Sequence, residues 1–144
     1  MRYLAIDLGE RRTGLAVGDD QTKICSPIEV IETVHPSMRL NRLTQVIEEH
    51  APDELVLGLP LNMDDTEGPA AKNARRFATE LTDGFGLKVH LVDERLTSEA
   101  ANQQLTEQGL TRGQKKSKRD ALAAAEILRR FLEQVNADKQ AYNP

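Results

Sequence analysis

With 144 residues, 39% of them hydrophobic and 29% charged, and a formal net charge of −4, the chain reads as one globular domain able to bury a sizeable core. No apolar run is long enough to cross a bilayer, and the acidic balance excludes adhesion to nucleic acid through net charge, leaving only a local patch for that role. Cys25 is the single cysteine, which excludes an internal disulfide and a cysteine-based zinc site and points to a reducing cytoplasm.

Met1-Arg2-Tyr3 enters a strand at once, without a signal-peptide pattern. From Tyr3 to Asp19 two short apolar strands flank a tight polar turn, a hairpin signal. One residue breaks the pattern. Asp7 lies inside the first apolar run, where a buried carboxylate needs a partner, a metal or a proton. A plain alternative is that Asp7 ends the strand and bonds nearby amides. Gly9 lacks a side chain where something can approach the backbone closely.

A third strand, Ile28 to Thr33, follows the Ser26-Pro27 turn. Pro36-Ser37 opens a helix with Ser37 as its expected N-cap, and Leu40, Leu43, Val46 and Ile47 form its apolar stripe as far as His50. The run Glu54 to Pro60 has the uninterrupted apolar character of a parallel strand buried on both faces. A polar loop, 61–68, leads to a helix starting at Pro69, with Ala70, Ala74, Phe77, Ala78 and Leu81 inward and a break at Asp83-Gly84-Phe85-Gly86. Lys88 to Glu94 is the fifth strand, ending in two acids, and Thr97 or Ser98 caps a helix that Gly109 stops. A basic stretch, Thr111 to Arg119, precedes a last helix from about Ser117 to Val135. Residues 1–135 thus form the domain and 136–144 a frayed tail.

Three sequential strands read as an antiparallel meander, and strands separated by helices as parallel pairs joined by right-handed crossovers. The expected fold is α/β: a mixed five-stranded sheet with helices on both faces. In it the first, fourth and fifth strands lie near one another, and Asp7, Glu94 and Asp120 converge on one cleft.

Four segments carry a family resemblance: Ile6-Asp7-Leu8-Gly9-Glu10-Arg11-Arg12-Thr13-Gly14-Leu15-Ala16, Leu57-Gly58-Leu59-Pro60-Leu61-Asn62-Met63, Val92-Asp93-Glu94-Arg95-Leu96-Thr97-Ser98 and Lys118-Arg119-Asp120-Ala121-Leu122-Ala123-Ala124. In this order, in a chain of this length, they resemble the YqgF/RuvX family. These are Holliday-junction-resolvase-like proteins, also described as processing nucleases for the precursor of 16S ribosomal RNA. Gly18 and Asp65 stand where that family more often has serine and glycine. The resemblance implies a ribonuclease-H-like fold and a metal-dependent endonuclease that processes the 5′ end of pre-16S rRNA during ribosome biogenesis. Asp7, Glu94 and Asp120 are then the catalytic and metal-holding acids, for two Mg²⁺ or Mn²⁺ ions about 4 Å apart.

Each acid also has a plainer role. Glu94 can pair with Arg95 at the surface, and Asp120 can favour the start of a helix. Arg112, Lys115, Lys116, Lys118 and Arg119 place five positive charges within eight residues, able to neutralise phosphates or simply to face water. Arg11 and Arg12 in the first turn and Asn62 in the 61–68 flap complete the expected substrate contacts. With few aromatic residues, recognition is expected through backbone shape rather than stacked bases. The expected partners are an RNA precursor ahead of branched DNA, and ribosome-associated proteins, with no membrane; the chain acts as a monomer or homodimer. Three alternatives stay open: a Holliday-junction resolvase, a non-catalytic nucleic-acid or ribosome-binding module, and a phosphotransferase of the actin and sugar-kinase type. The last shares the Asp-x-Gly hairpin, but this chain has no second such hairpin with which to enclose a nucleotide.

Overall fold

The computed structural model describes residues 1–94 and 112–141, with side chains over 1–94 and 121–135. Five strands form one sheet: β1 (Arg2–Asp7), β2 (Arg12–Asp19), β3 (Cys25–Glu32), β4 (Glu54–Leu59) and β5 (Val89–Asp93), in the order β3-β2-β1-β4-β5. β1, β2 and β3 are antiparallel, and β4 and β5 run parallel to β1, as the meander-plus-crossover reading expects. Three described helices cover it: α1 (Pro36–His50), α2 (Pro69–Phe85) and α3 (Arg112–Ala141). Among the described residues no helix is long and apolar enough to cross a membrane.

The period-2 alternation of a strand splits the core in two. Leu4 and Ile6 of β1 point to one face, where they pack with Leu55 and Leu57 of β4 against Leu43 and Val46 of α1 and Phe77 and Leu81 of α2. Tyr3 and Ala5 point to the other face, with Ala16 and Val56, against Ala124, Ile127, Leu128, Phe131 and Leu132 of α3. Small residues on the sheet and on the helix let α3 lie close. A Cβ on Gly18 would come within 2.8 Å of Leu128 Cδ2 and 2.9 Å of the Ile24 carbonyl oxygen.

Several expected boundaries shift. α1 takes Pro36 as its first helical residue and His35 as the N-cap, with no side-chain cap, so Ser37 lies inside the first turn. On α2 the inward residue of the first turn is Ala71, and Ala70 is exposed, because the buried stripe 71-74-77-81 is set by the helix's orientation on the sheet. Gly84 and Phe85 remain helical, and the helix stops at Gly86, whose φ of 67° is the left-handed cap glycine provides readily. β3 begins earlier, at Cys25; Pro27 is tolerated because β3 is an edge strand with an irregularity opposite Leu15/Ala16. α3 starts at Arg112, before the expected Ser117, and continues to Ala141, so residues 136–141 extend the helix beyond the expected end at Val135. The helix expected after Thr97 or Ser98 lies outside the described residues.

The close seat of α3 yields a prediction. Gly18→Ser, the residue more common in the resembling family, should destabilise this protein by about 1–3 kcal/mol through overpacking against Leu128. Urea unfolding measures it, and an unchanged midpoint would mean that α3 does not press on β2 there.

Candidate active site

Asp7 is the last residue of β1 and continues the Tyr3-Ala5 row onto the α3 face. On β5 the same alternation carries His90 and Val92 to Glu94, one residue past the strand end, whose amide donates to the Leu59 carbonyl at 3.3 Å. Both acids therefore stand at the C-terminal ends of parallel strands, with β4 between them. Their side chains meet. Glu94 is largely buried and shares a hydrogen bond with Asp7. Burial raises the Glu94 carboxyl first, then that hydrogen bond, then the negative charges of Asp7 and Asp93, to about 9 from an ordinary 4.5. At neutral pH the pair accordingly holds a proton between its two carboxyl groups.

Gly58 lies under this contact. A Cβ there would collide with Glu94 Oε2, approach Glu94 Cδ to 3.1 Å and meet Ile127 Cδ1 at 2.7 Å. The bare position is a cradle for the Glu94 carboxyl. Gly9 plays a different part. A Cβ on it would strike the Arg12 carbonyl oxygen, so the close approach inferred from sequence is made by the chain's own turn. Arg39 of α1 secures that turn from the other side. Its Nη2 donates to the carbonyls of Glu10 at 3.0 Å, Gly9 at 3.4 Å and Thr33 at 3.4 Å.

Asp120 belongs to α3, one helical turn before Ala124; its side chain lies outside the described residues. The direction of the helix follows from its contacts with the sheet. Phe131 stacks edge-on against Tyr3 with ring centroids 5.1 Å apart, and Ile127 lies over Gly58, so α3 runs opposite to β1 and β4. The N-terminal part of α3, which holds Asp120, therefore points toward the strand ends that carry the acids. Among the described residues no group of three metal-ligating side chains forms, and two acids, Asp7 and Glu94, come together.

The other expected contacts fall as follows. Arg12 is engaged by Glu32 across β2 and β3, Nε to Oε1 at 3.0 Å, while Arg11 is exposed at the turn. Asn62 braces its own loop: its Nδ2 donates to Thr66 Oγ1 at 2.9 Å, and its backbone N–H donates to the Thr66 carbonyl at 2.9 Å. Asp65, at the position where glycine is more common, has a φ of 70°. Lys115 and Lys116, expected before the helix, lie with Lys118 in the first two turns of α3, and Arg112, Lys115, Lys116 and Arg119 recur at helical spacing. An open cleft of about 670 Å³ lies beside the same β1–β2 turn, lined by Leu8, Gly9, Arg39, Arg76 and Phe77, without either acid of the pair. Sequence reasoning did not assign Gly58 or Arg39. A glycine interrupting the apolar run of β4 was the available signal for the first; nothing local marks the second.

A mixed five-stranded sheet in the order β3-β2-β1-β4-β5, with a long helix across one face, is a ribonuclease-H-like fold. Two solved structures share the fold: Thermus thermophilus RuvC in complex with a Holliday junction substrate (TM-score 0.58, 16% identity, 94% of this chain and 96% of that one) and the Fowlpox virus resolvase with Holliday junction DNA (TM-score 0.58, 12% identity, 94% and 99%). The chain belongs to the RuvX family, whose model, described as Holliday junction resolvase, matches residues 1–134. Relatives named "Putative pre-16S rRNA nuclease" include proteins of Bordetella pertussis (41% identical over 133 residues, 92% of this chain and 94% of that one) and Chromobacterium violaceum (44% over 132 residues, 91% and 96%). One of the same name from Escherichia coli O7:K1 is 40% identical over 131 residues, covering 91% and 95%.

The shared proton gives the metal-free protein a defined pH dependence. The folded state holds a proton that the unfolded chain releases near 4.5 and that Glu94 keeps to about 9. Stability is therefore full below about 4.5 and falls as pH rises toward 9. In the chelator-treated protein the slope between neutral pH and pH 9 should approach about 1.4 kcal/mol per pH unit, the limit for one proton. Glu94→Gln should flatten it. Equal slopes in wild type and variant, measured by urea unfolding, would show that the pair does not share a proton.

Proposed function

We propose that this protein is a divalent-metal-dependent nuclease that hydrolyses phosphodiester bonds in an RNA precursor, the 16S rRNA precursor being the substrate class its relatives' names indicate. The observation that carries the reading is the Asp7–Glu94 pair, two carboxyl groups pressed together across a bare backbone position, with the Glu94 carboxyl raised to about 9. A hard divalent cation suits such a donor set, since Mg²⁺ and Mn²⁺ favour carboxylate oxygens and a cation can replace the proton that offsets the repulsion. When bound, the cations lower the pKa of water and neutralise charge on the phosphate.

The chain's own residues do the rest. Asp7 and Glu94 hold the metal side of the site from rigid strand ends, and Asp120 joins them from the N-terminal part of α3. Gly9 and Arg39 keep the turn after Asp7 tight, so the carboxylate is presented in one position. The first turns of α3 supply Arg112, Lys115, Lys116, Lys118 and Arg119 for the phosphates flanking the cut, and Arg11 adds a charge at the turn. Asn62 shapes the loop after β4, beside the strand ends that carry the acids. A four-way DNA junction is the second substrate to be tested, because the family model is described by that activity.

Cleavage of an RNA precursor and of a four-way junction, each with and without Mg²⁺ or Mn²⁺, tests the reading directly. Asp7→Asn, Glu94→Gln and Asp120→Asn should each lower metal-dependent RNA cleavage by roughly a hundredfold or more, the several kcal/mol that metal charge stabilisation is worth. Paired changes should add little to the worst single one. The metal-free Tm should hold or rise, because each change relieves repulsion among like charges. A marked fall in Tm with cleavage intact would make the acids structural.

Charge on α3 is tested separately. Replacing Lys115, Lys116 and Lys118 by Gln should weaken nucleic-acid binding and reduce the slope of log K against log salt by about 0.7–0.9 per lost phosphate contact. An unchanged slope would leave this helix end merely solvated.

A further inference from the structure

We propose that Gly58 is a positioning residue: its missing side chain is the opening through which Glu94 crosses β4 to meet Asp7, so the acidic pair exists only while position 58 is bare. The proposal deepens the nuclease reading and rests on it for its functional meaning, although the geometry stands by itself. β1 and β5 are not neighbours. They are separated by β4, which places their backbones about 10 Å apart. An aspartate on one and a glutamate on the other span that gap only by passing over the strand between, close to its backbone.

Three observations put Gly58 at the crossing. Ala5 pairs with Val56 and Gly58 pairs with Val92, so Gly58 lies in the row that runs from Asp7 toward Glu94 on the α3 face. A Cβ on Gly58 would collide with Glu94 Oε2, so the carboxyl itself, rather than the stem of the side chain, occupies the space. Ile127 Cδ1 would be 2.7 Å from the same Cβ, so an added methyl group is crowded from the helix side as well as by the carboxyl. The position needs no left-handed backbone to explain a glycine. Gly86 is a glycine with a positive φ, at 67°, whereas Gly58 carries no such conformation and sits inside a regular parallel strand. What selects glycine there is room for a carboxyl group.

The geometry separates two effects of Gly58→Ala. One is crowding of Ile127, which is structural; the other is displacement of Glu94, which is functional. Ile127→Val removes the Cδ1 atom in question and leaves the second effect alone. The experiment compares wild type, Ile127→Val and the double variant Gly58→Ala/Ile127→Val as full-length proteins. Its readouts are urea unfolding of the metal-free form, binding of Mn²⁺ alone by its electron paramagnetic resonance signal, and cleavage of the RNA precursor. Ile127→Val should bind Mn²⁺ and cleave as wild type does. The double variant should unfold cooperatively near the Ile127→Val midpoint, yet bind Mn²⁺ and cleave about 10- to 100-fold less well, as when a ligand's supporting residue is lost. Mn²⁺ affinity equal to that of Ile127→Val would overturn the proposal.

A second comparison holds even where Gly58→Ala is poorly folded. Its loss of stability should be largely relieved in a Glu94→Ala background, because the colliding carboxyl is then gone. Equal loss with and without the Glu94 side chain, or failure to fold in both, would place the crowding elsewhere and overturn the proposal. Failure of the nuclease reading looks different. Wild type would bind no Mn²⁺, or Asp7→Asn would keep its affinity, while the stability coupling between positions 58 and 94 persisted.

Discussion

Two carboxyl groups held against each other inside a protein repel unless a proton or a cation stands between them, and the fold of this chain forces that condition on Asp7 and Glu94. Neither residue is close to the other in sequence. They meet because β1 and β5 run parallel on either side of β4, end at the same edge, and turn the same alternate residues toward α3. An isolated glutamate at the surface would titrate in the ordinary carboxylate range; here burial, the hydrogen bond to Asp7 and the charges of Asp7 and Asp93 act together to hold Glu94 near 9. The same repulsion makes the metal-free fold less stable as pH rises.

The two faces of the sheet divide the work. On one, Leu4, Ile6, Leu55 and Leu57 pack against α1 and α2 in a core of large aliphatic side chains. On the other, Ala5, Ala16, Gly18 and Gly58 leave little between α3 and the sheet, which brings the helix down close enough to close over the acids. Arg39 links the halves. Anchored on α1, it holds the carbonyls of the turn that follows Asp7 and so couples the first core to the site on the opposite face. At 12–16% identity, the resolvases that share this architecture show that the fold tolerates nearly complete replacement of its sequence, so chemistry has to be argued from the site itself.

Much of this was legible residue by residue. Asp7 stood out because a carboxylate interrupts an apolar strand, and the order of three strands, then alternating helices and strands, implied the mixed sheet and its parallel half. Other features were not. Ala70 and Ala71 are equivalent by propensity, and only the seat of α2 on the sheet buries the second. The basic stretch before Asp120 reads as a loop by composition, yet it is helical from Arg112, where successive long side chains lose little freedom in a helix. Gly58 looks the same in sequence whether it marks a bulge, a bend or a crossing side chain. Arg12, which composition offers to a phosphate, is opposed by Glu32 through a register that no local pattern displays.

By itself, then, the sequence determined the periodicities: which stretches are strands and helices, which of their faces are apolar, and that an acid sits among apolar residues in the first strand. These are local properties, carried by the 2.0 and 3.6 residue repeats and by proline and glycine at element ends. Tertiary structure alone decided which acid faces Asp7, that Gly58 lies beneath their contact, and how close α3 comes to the sheet. Those depend on strand order and register, set by the packing of all the elements together, and a contact between residues far apart in the chain leaves no trace in the spacing of either one.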